Sequence, residues 1–319
     1  MPSAVRMSAP GSPQKNAPSN VPNNALVPMN AALLAPARIA AIGRNTFTEL
    51  VRQKVFYFLL LFGLIVIGNS AFLAKFSFQE EFQMLKDVAL GAISVFLSLL
   101  AILATANLLP RDLEDRTIFT ILSKPVPRHE YLLGKLLGVV ILLTLSTLVM
   151  GALFLMVLIL REQTALAETM NGFQGSPQDL TTALAEIRKA AFTWDLLPAI
   201  ALLLVKSVLL ASLTLLISTF ATSGIFAILV AACAYFIGHL QVTAREYWMS
   251  GIGIHWWTRI FTAFIALIFP DLQAFNLTDD IVAGTLIPAG LFWQTVALGG
   301  VYAAVYYAVA CFLFQNREL

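Results

Sequence analysis

The amino-acid sequence predicts an all-α polytopic membrane protein with six transmembrane helices. Apolar residues make up 59% of the 319 residues and charged residues only 12%, and the mean hydropathy is +0.81. Soluble domains average about a quarter charged residues. The apolar residues also cluster into blocks of about 20, the length of a helix that crosses about 30 Å of hydrocarbon.

The six predicted spans form one transmembrane domain over residues 36–319, which follows a polar tail over residues 1–35. The spans are predicted at about residues 55–74, 88–109, 132–160, 196–220, 224–240 and 291–314. The third is long enough to tilt or to project past the bilayer. The tail is rich in Pro, Asn, Ser and Ala, so we expect it to be disordered. It lacks the apolar core of a signal peptide, so the first span should act as an uncleaved anchor.

Two amphipathic helices are predicted outside the spans. Residues 37–52 place apolar side chains on one face and charged ones on the other, which is typical of a helix lying in the inner membrane interface. The alternative is a soluble extension of the first span. Residues 177–192 form the second, which Ser176 can cap, with Asp179 close to the positive end of the helix dipole.

The distribution of Lys and Arg predicts the orientation. If the N-terminus is cytoplasmic, 12 of the 20 Lys and Arg residues lie in inner segments and seven in outer segments, with Lys206 alone inside a span. Cytoplasmic segments of membrane proteins carry the excess of basic residues. We therefore expect a multi-pass protein of the cell inner or plasma membrane with both termini in the cytoplasm.

The segment over residues 255–288 does not fit a simple span. It contains two short apolar pieces, separated by Pro270, Asp271 and a polar stretch, and neither is long enough to cross comfortably. We predict a re-entrant helical hairpin before the last span, packed on protein or lining water. The alternative is a seventh span, which would place Leu319 outside.

The sequence offers no sign of catalysis. The pair Gly134–Lys135 is not preceded by the glycine of a P-loop, and the three histidines do not have metal-ligand spacing. Both cysteines, Cys233 and Cys311, lie inside predicted spans, so no disulfide framework is expected. We predict no catalytic residue, no metal site and no resident cofactor. The net charge of +2 gives no reason to expect nucleic acid.

A charged loop over residues 110–138 is the most informative stretch, because it alternates charged and apolar residues between two spans. We predict a helix over residues 111–123 that docks on a partner through apolar anchors, with charges on the rim setting its orientation. The predicted docking residues are Asp112, Glu114, Arg116, Ile118 and Leu122. Pro125 and Pro127 cannot continue this helix, so the chain should turn stiffly into the third span. The alternative is an ordinary charged connector.

Lys206 lies within the fourth span, where a charge is costly and by default indicates a function. Three interpretations stay open: pairing with polar groups of other spans, a water-lined pathway, or a misplaced span. Asn69, Asn107 and His239 are candidate neighbours, and the sequence does not choose among them.

The chain resembles the permease subunits of ABC-2 type transporters, most closely the branch that includes the permease associated with copper-enzyme maturation. The loop carries the strongest resemblance, in Asp112, Glu114, Thr117, Ile118, Leu122, Ser123, Lys124, Pro125, Val126, Arg128, Glu130, Tyr131, Gly134 and Lys135. Weaker similarities lie at residues 44–50, 218–220 and 270–277. Asp112 and Asp115 depart from the pattern, since the family more often has a glutamate and a basic residue there.

The resemblance implies a function and partners. The loop helix would be a cytoplasmic coupling helix, docking on an ABC ATPase subunit that binds ATP. Two permease chains, identical or homologous, would pair with two such subunits and export a substrate. The alternatives are a non-transporting membrane anchor or mechanical transmitter driven by the same ATPase, and an ATP-independent carrier or channel. A carrier should show an internal repeat with broken helices in both halves, and we see none.

Overall fold

The computed structural model describes residues 31–74, 81–114, 127–172, 176–250, 256–257, 260, 268–276 and 288–316. Within these ranges the chain is helical and contains no strand, which confirms the predicted fold class. Among the described residues, five helices are long and apolar enough to cross a membrane, and a bent pair of helices near the N-terminus supplies a sixth candidate. The chain is therefore a multi-pass helical membrane protein.

The helix bounds follow the chain in order. They are α1 Ala31–Val51, α2 Lys54–Ala74, α3 Glu81–Ala106, α4 Leu108–Glu114, α5 Arg128–Gly172, α6 Pro177–Ala191, α7 Leu196–Phe220, α8 Gly224–Ser250 and α9 Ala289–Asn316, with a 3₁₀ turn at Gln273–Phe275 between α8 and α9.

Predicted and observed helix ends differ where polar residues continue an apolar span. The helix α7 matches its predicted bounds, but α5 has 45 residues and is about 68 Å long, so it projects well beyond a bilayer. The helix α8 runs to Ser250, past the predicted end at residue 240. Hydropathy marks only the membrane-crossing part of a helix, and neither extension contains a proline that would end it.

Some predictions fall outside the described residues. These are the tail up to residue 30, the part of the charged loop at residues 115–126, and most of the segment at residues 255–288. The re-entrant hairpin and the alternative seventh span therefore stay predictions. The described part of that segment packs on the bundle, since the Leu272 amide donates to the Gly238 carbonyl at 3.2 Å and Phe275 is buried.

The helices α3 and α7 form the centre of the bundle. In the most apolar 18-residue stretch of each helix, 61% of the residues of α3 and 67% of those of α7 are buried. The corresponding shares are 28% for α8 and 22% for α9. Hydroxyl-bearing residues are frequent on α7. Ser212 donates to the Leu209 carbonyl of its own helix at 2.7 Å, whereas Ser218 donates to the Ala106 carbonyl of α3 at 3.2 Å. Small residues of this kind let helices approach closely in a membrane. The outward-facing side chains of the other helices are left for lipid.

One end of the bundle is marked by α6 and by exposed tryptophans. The Asp179 amide donates to the Ser176 hydroxyl at 3.3 Å, so Ser176 caps α6 as the sequence indicated. Trp194 and Trp293, near the starts of α7 and α9, are 77% and 66% exposed. Tryptophan is enriched where helices meet the membrane–water interface, so these residues mark one interface.

Candidate functional site

Four polar side chains in the first two turns of α5 reach three other helices at the end of the bundle opposite α6. They are Arg128, Glu130, Tyr131 and Lys135, and we call them the α5 joint. All four belong to the loop motif on which the sequence resemblance rested. Their contacts explain why these residue types stand at this spacing.

Arg128 fastens the C-terminal end of α9. Its Nη1 donates to the carbonyl oxygens of Phe314 at 3.0 Å and Gln315 at 2.9 Å. The last carbonyls of a helix have no partner within the helix and carry partial negative charge, so a guanidinium stabilises them. Tyr307 of α9 also donates to the His129 carbonyl at 2.8 Å.

Glu130 fastens α1. Arg38 donates from Nε to Glu130 Oε2 at 2.8 Å and from Nη2 to Oε1 at 2.9 Å, which is a bidentate pair. Bidentate geometry is stronger and more directional than a single contact. The Glu130 side chain is 8% exposed and that of Arg38 26%, so water screens this pair only in part.

Three glycines let α1 lie directly against α5. A Cβ atom added to Gly138 would stand 2.6 Å from Thr46 Cβ, and one added to Gly134 would stand 2.7 Å from Ile42 Cβ. Real Cβ contacts are longer than this, so neither position accepts even alanine without movement of α1. Gly43 completes the crossing from the α1 side. Close helix pairs in membranes are commonly built on such small residues.

Lys135 and Tyr131 fasten α4. Lys135 Nζ lies 2.7 Å from Asp112 Oδ2 and 4.0 Å from Glu49 Oε2, and the Tyr131 hydroxyl donates to Asp112 Oδ2. Arg111 Nη1 lies 3.2 Å from Glu49 Oε1, so the two acidic and two basic groups alternate across α1, α4 and α5. The Lys135 side chain is 5% exposed. A charge buried to this extent needs its carboxylate partners.

A polar cavity of about 500 Å³ adjoins these ion pairs. It lies beside the bend between α1 and α2, where the helices differ in direction by 67°. Its lining includes Glu49 and Arg111, together with Asn45, Arg52 and Gln53. This surface could receive polar groups of another chain.

The structure describes only part of the predicted docking helix. Glu114 is exposed at the end of α4, and Pro127 is exposed just before α5. Arg116, Ile118, Leu122 and Pro125 lie outside the described residues. Asp112 differs from its prediction, because it is 8% exposed and bound to Lys135 instead of standing on an exposed rim.

The other predicted site lies at Lys206, which is 1% exposed in α7. Its Nζ is 3.1 Å from Ser94 Oγ of α3 and 3.1 Å from His239 Nε2 of α8, so it joins three helices. His239 was a predicted neighbour, whereas Ser94 was not. Asn69 instead donates to the Ile65 carbonyl, and Asn107 lies against Gly224 at the start of α8.

The hydrogen-bond partner of Nδ1 determines which nitrogen of His239 is protonated. Nδ1 lies 3.2 Å from the Tyr235 carbonyl, which can only accept, so Nδ1 carries the proton. Nε2 is then free to accept from the Lys206 ammonium. The Tyr235 ring, whose centroid is 5.8 Å from Nζ, adds a cation–π contact. None of these groups is an anion, so the Lys206 charge is held by dipoles and a ring face.

Among the described residues, no group of three or more His, Cys, Asp or Glu side chains could hold a metal ion. The contacts described above are ion pairs and hydrogen bonds between helices. Apolar helices of membrane-spanning length, tied together in this way, define a helical multi-pass membrane protein.

The chain belongs to the ABC-2 family transporter proteins, whose family model matches residues 40–319. It is therefore the membrane-embedded permease component of an ABC transporter, a class that works with an ABC ATPase. The match is to the family as a whole, so the narrower resemblance to the copper-enzyme-maturation branch stays a prediction. A comparison with curated proteins finds no match to this chain.

Substitution of Lys206 tests the intramembrane site. We expect Lys206→Met to insert normally but to lower thermal stability in detergent, because it leaves His239 Nε2 and Ser94 Oγ without their buried partner. An unsatisfied buried polar group costs about 1–3 kcal/mol. Lys189→Met, on the exposed face of α6, is the control and should be neutral. Stability, ATPase activity and substrate movement all equal to wild type would show that Lys206 has neither role.

Proposed function

We propose that this chain is the permease of an ATP-driven exporter, in which the ATPase docks at the loop after α4 and acts on the bundle through the α5 joint. The joint is the observation that carries the proposal. It connects α4, from which the docking loop leaves, to α1 and α5, and it holds the end of α9. A force applied to the loop would reach several membrane helices together.

The loop itself would be the lever. The helix α4 already covers Arg111 to Glu114, and the predicted coupling helix continues it to residue 123. Pro125 and Pro127 would stiffen the return into α5. Ile118 and Leu122 would insert into a groove of the ATPase as apolar anchors, because buried apolar side chains carry most of the affinity at such interfaces.

Charged residues would divide into two groups. Glu114 and Arg116 would orient the ATPase from the rim of the contact. Asp112 has a different task in this proposal, because its carboxylate binds Lys135 and Tyr131 within the chain. It would act as an internal tether that keeps α4 attached to α5 while the ATPase moves.

The proposal includes an assembly and an orientation. Two permease chains, identical or homologous, would pair with two ATPase subunits that bind the ATP, and this chain would hold no cofactor itself. The complex would lie in the inner or plasma membrane. Both termini and the α5 joint would then face the cytoplasm, on the side where ATP is available. The excess of basic residues at this end supports that orientation.

Truncation of the two anchors tests docking. We expect the double variant Ile118→Ala/Leu122→Ala to insert but to lose the ATPase on co-purification, because truncating one buried anchor costs about 2 kcal/mol, or roughly thirtyfold in affinity. Ile141→Ala/Leu145→Ala is the matched control, since both side chains are exposed on α5 away from the loop. Normal complex yield in the loop variant would exclude the loop as the docking element.

Substitution of Lys135 tests transmission separately from docking. Lys135→Met leaves Asp112 and Glu49 without their shared cation, and breaking a buried pair costs about 3–5 kcal/mol. We expect the ATPase to co-purify but its hydrolysis of ATP to be uncoupled from substrate movement in liposomes.

The double variant Asp112→Leu/Lys135→Met removes both charges and should regain stability without regaining coupling. An unchanged ratio of transport to hydrolysis in Lys135→Met would contradict the role of the joint. A wild-type complex without substrate movement would instead favour the mechanical transmitter.

Labelling of introduced cysteines tests the orientation. We expect cysteines placed near Ser3 and Leu319 to be shielded from an impermeant reagent added outside intact cells, because both ends are proposed to be cytoplasmic. A cysteine at exposed Gln178 in α6 should label readily and serves as the positive control. Labelling at Leu319 but not Ser3 would establish the seven-span alternative.

A further inference from the structure

An apolar groove of about 440 Å³ lies between α2 and α3 on the side of the bundle. Its walls are aliphatic and aromatic side chains and two glycines, and Asp87 is the one charged residue among those that line it. Neither the α5 joint nor the Lys206 site includes any of its residues. The groove therefore needs an explanation of its own.

The missing side chain of Gly91 opens the groove. A Cβ atom added to Gly91 would meet nothing within 4 Å, so the α3 wall opens at this position. On the α2 side, a Cβ atom added to Gly63 would stand 2.6 Å from Met150 Cε and 3.3 Å from Phe96 Cδ2. The floor at Gly63 is thus closed by Phe96 and by α5, whereas the groove stays open at Gly91.

The dimensions match one leaflet of a bilayer. The α3 residues that line the groove run from Asp87 to Leu99, a rise of about 18 Å at 1.5 Å per residue. Half of a hydrocarbon core is about 15 Å. Asp87 lies near the α6 end of α3, where Arg161 pairs with Glu81, so the groove runs from the headgroup level toward the middle of the membrane. An apolar cavity of roughly 150 Å³ takes one benzene, so a volume about three times larger suits a hydrocarbon chain.

The charge of Asp87 selects the headgroup. Asp87 is exposed, and it forms no ion pair with another residue in the described part of the chain. A carboxylate at the mouth of an apolar groove attracts a cation and repels an anionic headgroup. A phospholipid with a primary ammonium group fits both the apolar groove and the carboxylate at its mouth. Its acyl chain fills the groove, and its ammonium can donate hydrogen bonds to Asp87.

We propose that the α2–α3 groove retains one phosphatidylethanolamine molecule, with an acyl chain along Gly91 and its ammonium on Asp87. The site lies in the leaflet at the α6 end of the bundle. Bound there, the lipid fills the open space at Gly91 and supports the packing of α2 on α3. The proposal is independent of the ATPase-docking role.

Retention of lipid during purification tests the site. The complex of this chain with its ATPase is first reconstituted in equal amounts of phosphatidylethanolamine and phosphatidylglycerol. It is then extracted in mild detergent, and the lipid that stays bound is counted by native mass spectrometry. Gly91→Leu fills the groove and should lower ethanolamine-lipid retention about tenfold or more. Gly68→Leu is the matched control, because Gly68 is an equally open glycine of α2 that does not line the groove. Val95→Trp blocks the groove independently if Gly91→Leu does not fold.

The headgroup is tested by Asp87→Asn, which should reduce the preference for ethanolamine lipid over glycerol lipid about two- to fivefold. Equal retention in wild type and in the groove-filling variants would overturn the proposal, as would an unchanged lipid preference in Asp87→Asn. If groove filling instead separates permease chains from each other, the groove holds a second copy of the chain and the lipid assignment is wrong.

Discussion

The burial of Lys135 is the constraint on which the arrangement at one end of the bundle depends. An ammonium that is almost fully enclosed must be compensated, and here Asp112 of α4 lies within 2.7 Å and Glu49 of α1 at 4.0 Å. Those two carboxylates come from α4 and α1, which both lie against α5 at this end of the bundle. Compensation of one charge therefore links α1 and α4 to α5. Arg128 and Glu130, within the same two turns, add α9 and the start of α1.

The two polar sites use different physics because they stand at different depths. At the end of the bundle, acidic and basic groups alternate, and water reaches some of them, as the 53% exposure of the Arg111 side chain indicates. In the middle of the helices, Lys206 is held by Ser94, His239 and the Tyr235 ring. A neutral set of partners avoids placing a second charge in a region where charges are costly. Both sites join three helices, but only the first connects to the loop that leaves the membrane.

The sequence predicted the membrane class and the capped helix after Ser176, because hydrophobic length and local caps are properties of short stretches. It offered His239 as one of three candidate neighbours of Lys206, together with Asn69 and Asn107, without choosing among them. Ser94 could not be chosen, because serine is common in these helices and its role depends on which faces meet. The joint was missed as a site for the same reason. Glu49, Asp112 and Lys135 are far apart in the chain, and only folding brings them together. The motif residues Glu130, Tyr131 and Lys135 were visible, but their internal partners were not.

The length of α5 has a consequence for motion through the membrane. Its 45 residues form one unbroken helix, with the joint at its first turns and α6 packed near its far end. A rigid rod of about 68 Å that pivots by about 5° at one end moves its other end by about 6 Å. A rotation small enough to preserve the side-chain contacts at the joint would thus displace the opposite surface by more than the diameter of a water molecule. In this way a small rotation of α5 on one side of the bilayer produces a large displacement of its end on the other side.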